Sequence, residues 1–156
     1  MGVETADSEL YRKHADELTR FATGLVGPND AADIVSEAVL SCIGSPQWST
    51  VAEKRAYLYR SVFNRAAEFH RSAGRRRSRE ALTARSDAFD PPEVRPEVLA
   101  AVDRLSVRQR AVIVLTYWED LEPSSIASLM DISEGSVKRH LARGRHRLKE
   151  ALNVNN

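Results

Sequence analysis

Cysteine is nearly absent: Cys42 stands alone in 156 residues. No intramolecular disulfide can form, and no thiolate-rich metal site can be built. His14, His70, His140 and His146 do not fall at ligand spacings with acidic or thiol neighbours, so neither a metal site nor a cofactor is expected. Long apolar runs are missing too. The run at 111–115 is five residues long, far short of the roughly 20 that a membrane-crossing helix needs. The opening "MGVETADSELYRKH" has no apolar stretch behind a basic start, unlike a secretory signal. A soluble, cytoplasmic protein without membrane insertion is the expectation. There is no glycine-rich phosphate loop and no credible nucleophile–base set, and an enzyme is not expected. Asp33 and Glu37 share a helix face as paired carboxylates would, but no pocket-forming sheet or cofactor motif accompanies them.

Sustained apolar/polar alternation is also lacking, which leaves helical periodicity and an all-α fold class. The apolar fraction of 42% suffices for real cores. A first helix is predicted over 8–25, with Leu10, Leu18, Phe21 and Leu25 at core spacing. "GPND" stops it. A second follows over 31–43, with Ile34, Val35, Ala38, Val39 and Cys42 inward. After "GSPQWS" a long helix runs over 51–72 with Tyr57, Leu58, Ser61, Val62 and Phe69 as its buried stripe. From 73 the composition turns to "AGRRRSREALTARSDAFDPPEVRP", arginine first, then acid and proline, and reads as a flexible linker over 76–96. Two small helical domains are therefore expected, 8–75 and 97–152.

The formal net charge of +1 conceals its distribution. Residues 1–53 hold three cations against nine acids, a net of −6, whereas 54–79 hold nine cations against Glu68 alone, a net of +8. A second basic block, "SEGSVKRHLARGRHRLKEAL" at 133–152, has six cations against two acids. Two separated basic blocks suggest a polyanion touched at two places.

The second block closes a recognisable pattern. Val98, Leu99, Val102 and Leu105 give a short helix. Ser106 and Gln109 form a capping-box pair that opens a helix over 107–118. Pro123 suits a first helical position, and a short helix over 124–130, with Ile126 and Leu129 apolar, leads through a tight turn at 131–133 to a basic helix. Ser133 is its N-cap. On that helix Val137, Leu141, Leu148 and Leu152 form one stripe, while Ser136, Arg139, Arg143 and Arg147 lie on another. Short helix, tight turn and basic helix make a helix-turn-helix, whose second helix presents its first residues to base edges in the major groove. Ser136, Lys138, Arg139 and Arg143 are the groove-facing candidates. Arg145, Arg147 and Lys149 are left for phosphates or for no contact.

The phrasing "LSVRQRAVIVLTYWEDLEPSSIASLMDISEGSVKRHLARGRHRL" resembles region 4 of bacterial sigma factors, most of all the extracytoplasmic-function, group 4 kind. "DAADIVSEAVL" resembles region 2 of the same family, and "AYLYRSVFNRAAEFHR" resembles the −10-recognition helix that follows it. The resemblance covers about 8–152, with both halves in order and no region 3 between them. It implies a sigma factor whose partners are core RNA polymerase, at the β′ clamp helices and the β flap, and promoter DNA. An anti-sigma factor is a further partner that such relatives often have. Asp33, Ile34, Val35 and Glu37 would then dock on polymerase. Trp48, sixteen residues before Asn64, would border the pocket for a flipped −10 base, Asn64 would contact that base or its backbone, and Arg60, Arg65, Arg71 and 75–77 would hold phosphates of the opened strand. Ser136, Lys138, Arg139 and Arg143 would read the −35 element as duplex. The sequence departs from the family pattern at Ala32, Ser36, Val39, Tyr57 and Glu122, the last being a poorer N-cap than the usual serine.

Two other readings remain at this point: a helix-turn-helix regulator whose N-terminal half binds some other partner, and a sigma-like antagonist that occupies polymerase without directing initiation. Under the sigma-factor reading most of the groove for opened DNA comes from polymerase, so the free protein should bind promoter DNA weakly. An electrophoretic mobility shift measured without polymerase checks this, and tight sequence-specific binding would contradict it.

Overall fold

The computed structural model describes residues 2–80 and 96–153. Its described residues form seven α-helices and one 3-10 turn, in keeping with the all-α expectation. None of these helices is long and apolar enough to cross a membrane.

Helix α1 (Gly2–Val26) buries Leu18, Phe21, Ala22 and Leu25. It ends at Gly27, whose φ of 90° belongs to the left-handed region where a Cβ is costly. Pro28 then starts α2 (Pro28–Ile43) at once, its fixed φ and missing N–H suiting the first turn. A single residue thus reverses the chain, and α2 lies back along α1. The inward set expected for α2, namely Ile34, Val35, Ala38, Val39 and Cys42, is buried, together with Ala31.

After the 3-10 turn at Trp48–Thr50, α3 (Lys54–Glu80) completes a three-helix unit. Its buried stripe differs from the expected one. Leu58 and Val62 are inside, but Tyr57, Ser61 and Phe69 are half-buried, and Ala56, Tyr59, Phe63 and Ala66 take the interior instead. Tyr59 is fully buried because its hydroxyl has a partner there. It donates to Glu17 at 2.9 Å, while Arg55 grips both carboxylate oxygens at 3.0 and 2.9 Å and His14 donates through Nδ1. The Tyr59 ring also tilts against Phe21, centroids 4.9 Å apart. Of the linker expected over 76–96, residues 76–80 belong to α3 and 81–95 lie outside the described residues.

The second unit comprises α4 (Pro96–Asp103), α5 (Val107–Tyr117), α6 (Pro123–Met130) and α7 (Glu134–Asn153). The capping box of α5 is complete: Gln109 N–H donates to Ser106 Oγ and Ser106 N–H to Gln109 Oε1, each at 3.1 Å. On α7 the buried stripe is Val137, Leu141, Gly144 and Ala151, with Leu148 partly covered. Leu152, expected inward, is 38% exposed. Gly144 takes a place in the stripe that the leucine pattern did not reveal, since a Cβ there would stand 2.8 Å from Ile113 Cδ1. Every residue of α5 from Gln109 to Leu115 is buried. A helix covered all round needs neighbours on all sides, and α7 supplies only one of them. The opposite side is covered by α1, where Gly24 lets the backbone come so close that a Cβ would lie 2.4 Å from Val114 Cγ2. The two units therefore share one apolar core.

The Glu17 cluster makes acid stability of the first unit predictable. Burial alone would raise the Glu17 pKa, but hydrogen bonds from Arg55, His14 and Tyr59 outweigh it and hold the group at about 2 instead of 4.5. A carboxylate with a depressed folded-state pKa contributes stability that is present above its unfolded pKa and is lost as pH falls through its folded one. Urea unfolding of wild type should weaken between pH 4.5 and about 2. Glu17→Gln should cost about 1–3 kcal/mol at pH 7 and flatten that acid limb.

Candidate nucleic-acid and polymerase interfaces

Three outward faces carry the candidate residues. The first is on α2, opposite its buried stripe. Asp33 and Glu37 are exposed one turn apart, and Glu37 lies 3.6 Å from Arg65 across the helix pair. Ile34 and Val35 point the other way, 6% and 1% exposed. Leu40, at the next turn after Glu37, is 72% exposed, and Ile43 is 39% exposed. The sequence reading missed these two. The signal was available, since neither belongs to the inward set at 31, 34, 35, 38, 39 and 42, and an apolar residue left off that stripe faces water.

The second face is on α3. Arg60, Asn64 and Arg71, spaced four and seven, fall on one helical stripe, with Arg65 beside it. Asn64 is exposed. Arg71 is exposed and pairs with Glu68 at 2.7 Å. Arg60 is half-buried: Nη2 donates to the Ser128 carbonyl of α6 at 3.1 Å, and Nε is enclosed without a hydrogen-bond partner among the described residues. Trp48 does not join this stripe. It is 5% exposed, its Nε1–H donates to Asp7 at 3.0 Å, and the Lys54 ammonium stands 5.2 Å over its ring. In this conformation the indole is a plug under its loop, and α1's first turns hold it there.

The third face is the start of α7. Asp131, left-handed at φ 54°, closes α6, and Ile132 N–H turns back to Ala127 O at 3.1 Å. Ser133 Oγ then accepts from Ser136 N–H at 3.0 Å, satisfying one of the orphan donors of α7. Arg139 donates to Ser136 Oγ at 3.1 Å, and Lys138 lies 3.5 Å from Glu134. Lys138, Arg139 and Arg143 are exposed and Ser136 half-exposed, on the helix end that a helix-turn-helix presents to the groove. Burial, then the charges of Arg108, Arg139 and Arg143, push the His140 pKa down. The cationic field of this end therefore comes from arginine and lysine. Arg145 and Arg147 are engaged within the fold: Arg145 donates to the Tyr117 hydroxyl and lies over its ring, and Arg147 reaches the Arg104 carbonyl at 3.3 Å. Glu122 makes no side-chain cap at α6, as its identity foretold.

With this geometry in view, the family models are decisive. Sigma-70 region 2 matches residues 10–76 and Sigma-70 region 4 matches residues 95–148. The RNA polymerase sigma-E factor of Streptomyces antibioticus is 32% identical over 92% of this chain and 83% of its own length. The ECF RNA polymerase sigma factor SigL of Mycobacterium tuberculosis is 33% identical over 85% of this chain and 80% of its own. The chain belongs to the extracytoplasmic-function sigma factors of the sigma-70 family. Among solved structures, the sigma factor RpoE in complex with the anti-sigma factor NepR, from Bartonella quintana, matches 96% of this chain and 98% of its own with a TM-score of 0.69. CnrH in complex with the cytosolic domain of CnrY matches 98% and 91% with a TM-score of 0.64. At 21% and 20% identity these two share the fold. In this sigma factor α1–α3 form region 2 and α4–α7 region 4, so the three faces divide as α2 and α3 in region 2 and α7 in region 4.

The cap at α7 can be tested directly. Ser133→Ala should destabilise the protein by about 1 kcal/mol. Because Ser133 also fixes Ser136, and through it Arg139, the variant should lose DNA affinity beyond what its thermal melt explains. Melting and DNA titration on the same preparation check both.

Proposed function

We propose that this sigma factor, in directing promoter-specific initiation by RNA polymerase, divides the work among the three faces residue by residue. Asp33, Glu37, Leu40 and Ile43 meet the β′ clamp helices, the acids at the rim and the two apolar side chains at the centre. Ile34 and Val35 serve that contact from behind by locking the helix into the core. Asn64 receives the captured −10 base or its backbone, and Arg60, Arg65 and Arg71 hold phosphates of the opened strand. Trp48 takes part in base capture once its link to Asp7 is broken, because an unstacked base needs an aromatic face. Arg139 and Arg143 read base edges of the −35 duplex, Lys138 meets phosphate, and Ser136 orients Arg139. The protein performs no catalysis and acts in the cytoplasm, where polymerase and chromosome are.

The observation that supports this reading is the stripe Arg60–Asn64–Arg71 on α3 together with the cationic start of α7, each lying within a stretch that matches region 2 or region 4. Affinity arises from phosphate neutralisation and discrimination from the few side chains at base edges.

Run-off transcription with purified core polymerase and a genomic fragment library tests it. Discrete transcripts should depend on the protein. Arg139→Ala should reduce them by a factor corresponding to about 1–3 kcal/mol, roughly 5- to 150-fold, and only on promoters with the −35 sequence. Asn64→Ala should leave core binding intact and lower open-complex formation. Transcripts indifferent to both substitutions would sink the assignment.

A further inference from the structure

The first turns of α1 are held to the protein differently from its later ones. From His14 onward the helix is fixed by burial: His14, Leu18, Phe21, Ala22 and Leu25 lie inside, and Arg55 and Tyr59 grip Glu17. From Ala6 to Lys13 no residue is buried, and Asp7 and Leu10 are half-covered. Asp7 stands ten positions before Glu17, about 15 Å further along the axis at ~1.5 Å per residue. Its Oδ1 accepts the Trp48 indole N–H at 3.0 Å. Among the described residues this is the hydrogen bond that fastens the stretch to another element. A segment that buries so little apolar surface opens at low cost.

The residue on which it is fastened is the one assigned to a flipped base. Trp48 is 5% exposed. Asp7 closes the nitrogen edge of its indole, the Lys54 ammonium stands 5.2 Å over the ring, and the Tyr57 ring tilts against it with centroids 6.0 Å apart. A base stacking on this indole needs a free face. Lys54 can vacate that face by turning its own long side chain, giving up its bond to the Val51 carbonyl at 3.0 Å. Asp7 belongs to a different helix and holds the indole from outside the loop, so its release decides whether Trp48 is reachable. The head of α1 is also anionic, with Glu4, Asp7 and Glu9 all preceding the first cation, Arg12.

We propose that the first turns of α1 are a lid over Trp48, latched by Asp7, and that the opened −10 strand is the ligand that displaces it. This rests on the assignment of Trp48 to base capture. The strand brings acceptors for the indole N–H and phosphates for Lys54, so neither donor is stranded when the lid lifts, and the Asp7 carboxylate returns to water. Closed duplex offers no unstacked base and leaves the lid in place. The strand shifts the equilibrium by binding the lifted state more tightly, as any such ligand must.

Substitutions at the latch separate the lid from general charge repulsion. With Trp118→Phe, Trp48 is the one indole left, and acrylamide quenching of its fluorescence reads its exposure. In that background Asp7→Ala should raise the quenching constant of the free protein at least about 2-fold. On core polymerase it should tighten binding of a fluorescein-labelled single strand, taken from the non-template −10 region of a run-off promoter, by about 3-fold or more, the scale of one lost hydrogen bond. Asp7→Asn keeps the acceptor and removes the charge, and should behave as wild type; so should Glu9→Gln. In Trp48→Phe, which has no N–H to latch, adding Asp7→Ala should change strand binding no further. Quenching unmoved by Asp7→Ala, or equal gains from Asp7→Ala and Asp7→Asn, overturns the lid. Equal strand binding by wild type and Trp48→Ala would instead overturn the base-capture assignment, whatever the quenching shows.

Discussion

The Leu25 carbonyl is the joint on which the arrangement depends. A helix leaves its last carbonyls without partners and with a partial negative charge. Here that end is buried, so the carbonyl has to be satisfied by protein. It is met by Arg110 from region 4 and His70 from α3, so that three helices from both halves converge on one acceptor. Arg110 is itself buried, next to the apolar run at 111–115, and it also donates to Asp103 O at 3.0 Å. A buried guanidinium is tolerable only with such a set of acceptors. The geometry of region 4 against region 2 is thereby tied to the hydrogen-bonding needs of a single cation and a single helix end.

Within region 2 a different rule separates structure from function. The Glu17, Arg55, Tyr59 and His14 cluster looks inward and is mutually satisfied, with the Tyr59 pKa raised by burial and by the Glu17 charge. Such a network specifies how α1 sits on α3. The candidate functional residues look outward from the same helices and make few or local contacts, as Asn64, Arg71 and Asp33 do. Positioning comes from the buried face and recognition from the other, so a helix such as α2 can carry Ile34 and Val35 in its core and Leu40 on its surface without conflict.

How far the residues alone could lead follows from the range of the forces involved. The order of the helices, the α5 capping box and the helix-turn-helix were legible because they rest on neighbours within a turn or two, as Ser106 with Gln109 and Ser133 with Ser136 do. Tyr59 was misplaced because its burial depends on Glu17, 42 positions away, which periodicity cannot see. Leu152 was read as core because it fits a leucine stripe, whereas Ala151 takes the inward place at that end and a glycine at 144 takes the close contact. Trp48 was placed in sequence only by the family resemblance, at the border of a base pocket. Its partner Asp7 lies 41 positions away, and only the fold puts the indole nitrogen on that carboxylate. The packing of region 4 on region 2 was wholly unreadable, because Arg20, Gly24 and Arg110 have no periodic signature that names Glu119, Val114 and Leu25 as their counterparts.

The packing of region 4 on region 2 and the proposed reading of DNA draw on one limited set of surfaces. Arg60 donates to the Ser128 carbonyl here and is assigned to a phosphate on DNA, so each arrangement gives it an acceptor and neither strands the charge. The exposed guanidinium of Arg20 contributes modestly, as partly screened pairs do. The larger share comes from apolar contact around Val114 and from the two donors on Leu25 O, which together fix region 4 against region 2.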